Sequence, residues 1–277
     1  MGETATPRQG DADRYIVPGL VRGLDVLQAF TPERPRLTLR ELAEATGVTR
    51  SAVFRIAYTL NEFGFLVHDV ASRQYMLGPA VLRLGYGYLA PRGLVEAALG
   101  PLEALRDAVG WSAHLGILDG ADVVYLLRAP TRRGLASIVH IGSRLPAHAT
   151  AMGRVLLAQL SEAEIVGLYR GVRLGGVGRR GPTTVTALTA QARRDAETGY
   201  VLHRGEFQQG VTSVAAPLRD ARGYVVAAIN IASPPTGRAD ERPHGPIVRS
   251  VLDSALTISR ALGFAAEARE RDSVRPP

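Results

Sequence analysis

The chain has no cysteine. Disulfides, thiolate catalysis and cysteine-bearing metal sites are excluded, and nothing argues for an oxidising compartment. It also has no lysine, so every basic residue is arginine, a usage that a GC-rich genome alone can produce. No apolar run approaches the roughly 18 residues of a membrane span. The opening stretch MGETATPRQGDADRYIVPG lacks the apolar core of a signal peptide. The expectation is a cytoplasmic protein with no membrane segment. The six histidines show no metal-ligand spacing such as His-Glu-x-x-His. There is no Gly-x-Ser-x-Gly elbow and no P-loop. GVGRRG (176–181) matches a dinucleotide fingerprint by letter, but no strand feeds it and Pro182-Thr183-Thr184 follows where a helix should begin. No metal and no cofactor is implied.

What is present is a globular balance: 277 residues, 46% apolar and 21% charged. On a prior of about 150 residues per domain, that is one large domain or two ordinary ones. The net charge of +7 hints at a polyanionic partner. Yet residues 1–83 hold ten arginines against nine acids, so that segment is only +1. An argument for nucleic acid has to rest on where the charges point.

Residues 1–16 are polar and contain Pro and Gly, and are expected to be disordered. Leu20, Leu24, Leu27 and Phe30 then recur at helical spacing, and TPERPR ends that helix. Thr38-Leu39-Arg40-Glu41 fits a capping box and opens a helix to about Ala45. Gly47 supplies a turn, Thr49 caps the next helix, and Gly64 stops it. FLVHDVASRQYML (65–77) alternates about a turn at Ala71-Ser72 and reads as a two-stranded wing. GPAVLRLGYGYLA (78–90) reads as a connecting helix. LVEAALGPLEALRDAV follows as a second helix, bent or restarted at Pro101.

From Trp111 the character changes. SAHLGILDGADVVYLLRAP is a hairpin about Asp119-Gly120. ASIVHIG (136–142) reads as a strand, and a helix starts near Thr150. Residues 188–199 read as a helix with a Gly stop. Residues 211–233 read as two strands about Asp220–Gly223, and 247–264 as a closing amphipathic helix. The tail 266–277 is polar. The fold class is α+β: a small helical module with a wing, a helical connector, and an antiparallel-sheet domain.

A helix-turn-helix needs a small residue where its helices touch, a turn residue tolerant of positive φ, and an apolar lock on the second helix. Ala43, Gly47 and Val53 meet those needs, and Leu42, Val48 and Ile56 complete the buried side. The second helix would then display Thr49, Arg50, Ser51, Phe54 and Arg55, with Thr38 and Arg40 from the first helix beside it. Hydroxyls and first-turn N–H groups suit phosphates. Arginine can hold guanine O6 and N7 bidentately, worth about 1–3 kcal/mol of discrimination. Arg73 in the wing would reach the backbone or the minor groove. An ordinary helical hairpin with a solvated arginine face is the competing reading. The preceding helix, the capping box and the wing favour double-stranded DNA as partner.

RLPAHATAMGR places Thr150 at a helix N-cap, with the N–H groups of Ala151 and Met152 free for a carboxylate. A plain N-cap worth about 1 kcal/mol is the alternative. His148 reads as a loop residue holding the helix start.

The order of parts resembles the IclR family of bacterial transcriptional regulators over about residues 17–265. The blocks that carry the likeness are RGLDVLQAF, LTLRELAEATGVTRSAVFRIAYTL, YMLGPAVLRLG, AHLGILDGADVVYLLR, IGSRLPAHATAMGRVLLA, TGYVLHRGEFQQGVTSVAAPLRD and VAAINIAS. The resemblance implies a winged helix-turn-helix at 17–78, a linker helix at 79–98 and a profilin- or GAF-like effector-binding and oligomerisation domain at 99–265. It also implies a homodimer or tetramer on a roughly palindromic operator, regulated by a small organic acid. The acid's carboxylate would sit at Thr150, Ala151 and Met152, with His203, Ser213, Asn230 and Ala232 as further pocket positions. Met152, His203 and Asn230 depart from members that take very small keto acids, so a larger, aromatic acid is expected. Two other classes compete: an enzyme with an accessory helical module, and a DNA-binding protein that needs no ligand.

Overall fold

The computed structural model describes residues 15–90, 93–132, 139–175, 181–233 and 244–265. The expectations for the tails at 1–14 and 266–277 fall outside these residues, as do those for 136–138 and most of the GVGRRG stretch. The chain divides into two compact units, one up to residue 91 and one from residue 92.

The first unit runs α1 (Pro18–Gln28), β1 (Leu37–Thr38), α2 (Leu39–Thr46), α3 (Arg50–Glu62), β2 (Leu66–Asp69), β3 (Gln74–Leu77) and α4 (Ala80–Leu89). Its core gathers Val26, Phe30, Leu37, Leu42, Val53, Ala57, Leu66 and Tyr75. Each larger side chain contributes about 2 kcal/mol by leaving water. The capping box at α2 forms as read: Thr38 Oγ1 accepts from Glu41 N at 3.3 Å, and Glu41 Oε2 accepts from Thr38 N at 2.8 Å. Gly47 takes φ 66°, the left-handed turn that joins α2 to α3.

Two features depart from the sequence reading. The wing is a three-stranded sheet in the order β1-β3-β2, because Leu37 and Thr38 pair with Tyr75 and Gln74. A two-residue strand has no alternation to read. On α1, Leu20 and Leu24 are 62% and 48% exposed, and the helix buries Val26 instead, while Phe30, just beyond its end, is buried as expected.

The second unit runs α5 (Leu94–Val109), β4 (Ser112–Asp119), β5 (Asp122–Ala129), β6 (Arg144–Pro146), α6 (Ala151–Leu157), α7 (Glu162–Leu168), α8 (Val185–Thr198), β7 (Val201–Arg204), β8 (Thr212–Arg219), β9 (Val225–Ala232) and α9 (His244–Ala261). The strands form one antiparallel sheet in the order β6-β5-β4-β9-β8-β7. Gly120, at φ 59°, makes the tight β4–β5 turn. Leu94, Ala98, Leu102 and Leu105 on α5 and Ile247, Val251, Ala255 and Ile258 on α9 are buried at helical spacing. These helices pack on each other and on β4, β5, β8 and β9, while α6 packs on β4, β7, β8 and β9. Since successive strand residues point to opposite faces, the continuous burial along β4 means that both faces are covered.

One expectation is corrected, one is narrowed, and one element is added. The strand expected at 136–142 is absent over its described part: Ile141 and Gly142 form a turn, and the strand is β6, at 144–146. There the chain pairs with β5, Val124 opposite Arg144. Helix α5 passes through Pro101 without restarting, forgoing one N–H bond of the ladder. Helix α7, with its own Ser161–Glu164 capping box, had not been read.

One glycine fixes how α6 seats. A Cβ on Gly153 would lie 2.2 Å from the Ala147 carbonyl oxygen and 2.3 Å from its Cα. Gly167, on α7, has open space around it. Gly153→Ala is therefore expected to destabilise the protein by at least about 3 kcal/mol, through backbone displacement. Gly167→Ala is expected to be neutral or stabilising by about 0.5 kcal/mol. Urea unfolding of both variants checks the contrast, and equal midpoints would contradict the packing described.

Candidate functional site

In the first unit, α2, α3 and the wing enclose a shallow groove. Thr38, Arg40, Arg50, Phe54 and Arg73 line it, with Tyr75 and His68 at its floor. His68 and Tyr75 stack at 4.4 Å and support the wing from behind. Asp69 Oδ1 accepts from the amide of Ala71 at 3.0 Å, which shapes the wing turn and leaves Arg73 exposed at φ 55°. Arg55 lies on the α1 side of α3, facing Gly19, Arg22 and Gly23, and not in this groove. Both arginines, Thr49 and Ser51 are exposed. Tyr58, 58% exposed and 6.5 Å from Phe54 between ring centres, shares the outward face of α3 and was not singled out from sequence. Its i+4 relation to Phe54 was the available signal.

The two helix starts differ. The N-terminus of α2 is closed by its capping box, whereas Thr49 at the start of α3 makes no side-chain cap bond. Its hydroxyl lies 3.5 Å from Ser51 Oγ. The first-turn amides of α3 therefore face outward without a protein acceptor, at the positive end of a 13-residue helix. Arg40 pairs with Glu44 and Arg36 with Asp69, but among the described residues no carboxylate pairs with Arg50, Arg55 or Arg73.

In the second unit a cavity opens between the sheet and the start of α6. Its volume, measured as space open to the centre of a water molecule, is about 60 Å³. Thr150, Ala151, His203, Ser213, Asn230 and Ala232, all named from sequence, line it. His114, Tyr125, Val139, Leu145, Phe207, Gln208 and Val211 line it too, and sequence reasoning missed them. His114 enters because it is the register partner of Asn230, which only strand pairing reveals.

Met152 is corrected: its side chain is fully buried and does not line the cavity. It fills the space beside Gly116, where a Cβ would come within 2.6 Å of its sulfur. Thr150 Oγ1 accepts from Gly153 N at 3.1 Å, so the amides of Ala151 and Met152 are left at the helix start. His148 is buried behind this start, edge-on to Tyr169 at 5.9 Å, and outside the cavity lining.

A part-buried ion pair backs the cavity. Arg154 Nε and Nη2 donate to Asp195 Oδ2 at 2.8 Å and Oδ1 at 2.5 Å. Gln191 adds a bond to Asp195 at 2.8 Å, and Arg154 Nη1 lies 2.9 Å from His203 Nε2. Across the sheet, His114 Nδ1 lies 3.0 Å from Asn230 Oδ1, and Asn230 Nδ2 donates to Ser213 Oγ at 2.9 Å.

The chain was compared with known proteins. The IclR helix-turn-helix domain matches residues 19–70, and the bacterial transcriptional regulator IclR C-terminal domain matches residues 86–260. The HTH-type transcriptional regulator XynR of Escherichia coli (strain K12) is 30% identical over 91% of this chain and 99% of that protein. A crystal structure from Rhodococcus sp. RHA1 is 37% identical, covers 89% of this chain and 98% of that one, and superposes with a TM-score of 0.76. An IclR homolog from Microbacterium hydrocarbonoxydans, solved in complex with 4-hydroxybenzoate, is 24% identical with a TM-score of 0.78, over 88% of this chain and 98% of that one.

Both cavity histidines are held neutral. Burial, and secondarily Arg128, pushes His114 down to about 4, against the Asn230 hydrogen bond, which opposes the shift. Burial, then the Arg154 guanidinium, pushes His203 down to about 3. In the unfolded chain each takes a proton near pH 6.5, so the unfolded state binds more protons in acid and stability is lost as pH falls below 6.5. Each is expected to cost about 2 kcal/mol between pH 7 and pH 5. Urea unfolding across that range checks this, and His203→Gln is expected to remove about half of the slope.

Proposed function

Because the chain belongs to the IclR family of bacterial transcriptional regulators, we propose that it binds a specific operator through α3 and the wing, and that a small organic acid in the second unit regulates this binding. It is a regulator and not an enzyme, as its relatives are. The observation that supports the DNA reading is the uncapped start of α3, with Arg50 and Arg73 in the groove beside it and Arg55 exposed further along the helix, none with an acidic partner among the described residues. A phosphate would complete both the orphan amides and the unpaired charge.

Thr49, Ser51 and the first-turn amides of α3 receive a phosphate. Arg50, Phe54 and Arg55 face the major groove, Thr38 and Arg40 steady the approach, and Arg73 contacts backbone or minor groove. A homodimer, or a tetramer of two such pairs, reads a roughly palindromic site in the cytoplasm. Half-sites then lie about one helical turn, or a multiple, apart.

The effector is an acid larger than a simple keto acid, and aromatic. Its carboxylate lies at the start of α6, against Thr150 and the amides of Ala151 and Met152, near His203 and Ser213. Asn230 and Ala232 complete the wall. The apolar side chains of Tyr125, Val139, Leu145, Phe207 and Val211 support an aromatic body. The fold is known to accommodate one, since the Microbacterium homolog holds 4-hydroxybenzoate. Regulation requires the acid to bind one operator affinity state more tightly than the other.

A gel-shift titration against the intergenic DNA beside the protein's own gene, with random competitor and varied salt, tests the DNA reading. Arg55→Ala is expected to cost about 1–3 kcal/mol on the operator and little on random DNA. Arg73→Ala is expected to weaken both about equally and to lower the salt slope by about one. Equal losses on both DNAs for Arg55→Ala would contradict its base-reading role.

A further inference from the structure

Helix α3 has more apolar surface than its packing uses. Val53 and Ala57 are buried, and Ile56 and Leu60 pack against the same core, so the inward stripe of the helix is complete. Phe54 and Tyr58 lie outside that stripe, 51% and 58% exposed. They are one helical turn apart, with ring centres 6.5 Å from each other and ring planes tilted by 39°. Aromatic rings attract at that separation, so the two form one hydrocarbon patch on the outward side of α3.

The patch is flanked by cations. Phe54 shares its groove with Arg50 and Arg73, and Arg55 stands next to it on the α1 side. Ser51 is exposed one turn earlier. Arginine and hydroxyl groups can meet phosphates and polar base edges. A phenyl ring has neither donor nor acceptor, so against a phosphate it displaces water without replacing the lost hydrogen bonds. The flanking charges match DNA, and the major groove offers hydrocarbon at one place, the C5 methyl of thymine.

We propose that Phe54 reads thymine: its ring packs on the C5 methyl of one thymine in each operator half-site, with Tyr58 beside it excluding water. This rests on the reading of α3 as the major-groove helix and adds a base position chosen by apolar contact, which the arginines cannot supply. Phe54 is then a specificity residue. It disfavours cytosine twice over, because cytosine lacks the methyl and leaves its N4 amino group facing a hydrocarbon ring.

The test uses an operator fragment taken from the intergenic DNA or, failing that, selected by the full chain from a random-sequence pool. Each thymine is replaced singly by deoxyuridine, which removes the methyl and keeps every hydrogen-bonding group. Gel-shift titration is expected to find one position per half-site where the replacement weakens binding about fourfold, the worth of one buried methyl. Phe54→Ala is expected to bind the thymine and deoxyuridine operators equally, and Phe54→Leu, which keeps an apolar contact, to retain part of the preference. Should Phe54→Ala not fold, Phe54→Leu and the wild-type series decide. Tolerance of deoxyuridine at every position by the wild-type protein would overturn the proposal and leave α3 as the DNA-binding helix. A full thymine preference in Phe54→Ala would overturn it too. A pool from which the protein enriches no sequence would overturn both readings.

Discussion

The Arg154–Asp195 pair joins α6 to α8, and the cavity's chemistry depends on it. Arg154 sits one turn after Thr150, so whatever fixes its guanidinium also fixes how the start of α6 meets the sheet. Two bonds to Asp195, with Gln191 closing the carboxylate, hold it in one plane. Its remaining nitrogen then sets the tautomer of His203. A part-buried pair of this kind adds little net stability over apolar packing. Its value here is orientation: one charge pair decides which atom of a cavity histidine carries a proton. Gly153 supports the same geometry from beneath, because only a residue without Cβ lets α6 close on Ala147.

The first unit applies a different economy at its two helix starts. Helix α2 is structural, and its N-terminus is satisfied twice over by Thr38 and Glu41. That reciprocity also holds the Glu41 carboxyl below its ordinary range, chiefly through the Thr38 backbone bond. Helix α3 begins with an equally suitable residue, Thr49, yet its hydroxyl makes no cap. The difference lies in geometry and not in residue type. A helix whose first turn is left open can take an anion there, whereas a capped one has already used that capacity.

Much of this was legible in the residues. The capping box, Gly47, the wing and the β4–β5 hairpin all carry local signals, because each is set by neighbours within a few positions. What sequence missed was set at long range. Met152 was read as facing a pocket because it follows the α6 cap, but its direction depends on Gly116, a residue on β4. His114 was unremarkable until β4 paired with β9 and put it opposite Asn230. Strand β1 exists only because β3 offers it an edge. Leu20 and Leu24 keep helical spacing without burial, since periodicity identifies an apolar face but not what covers it.

Bulk charge is the least informative part of this sequence. The excess of +7 comes almost wholly from residues after 83. There Arg106 is tied to Asp107, Arg144 to Asp119 and Asp122, Arg154 to Asp195, and Arg222 to Asp220. Each such pair is internally neutral, so the excess is carried by other arginines of the second unit, and exposed charges are screened beyond a Debye length of about 8 Å at physiological salt. The near-neutral first unit leaves Arg50, Arg55 and Arg73 without acids, with Arg50 and Arg73 lining the groove at the open start of α3 and Arg55 exposed on its α1 side. A polyanion responds to that local arrangement and not to the sum over the chain. The unit with the smaller net charge is therefore the one built to meet DNA.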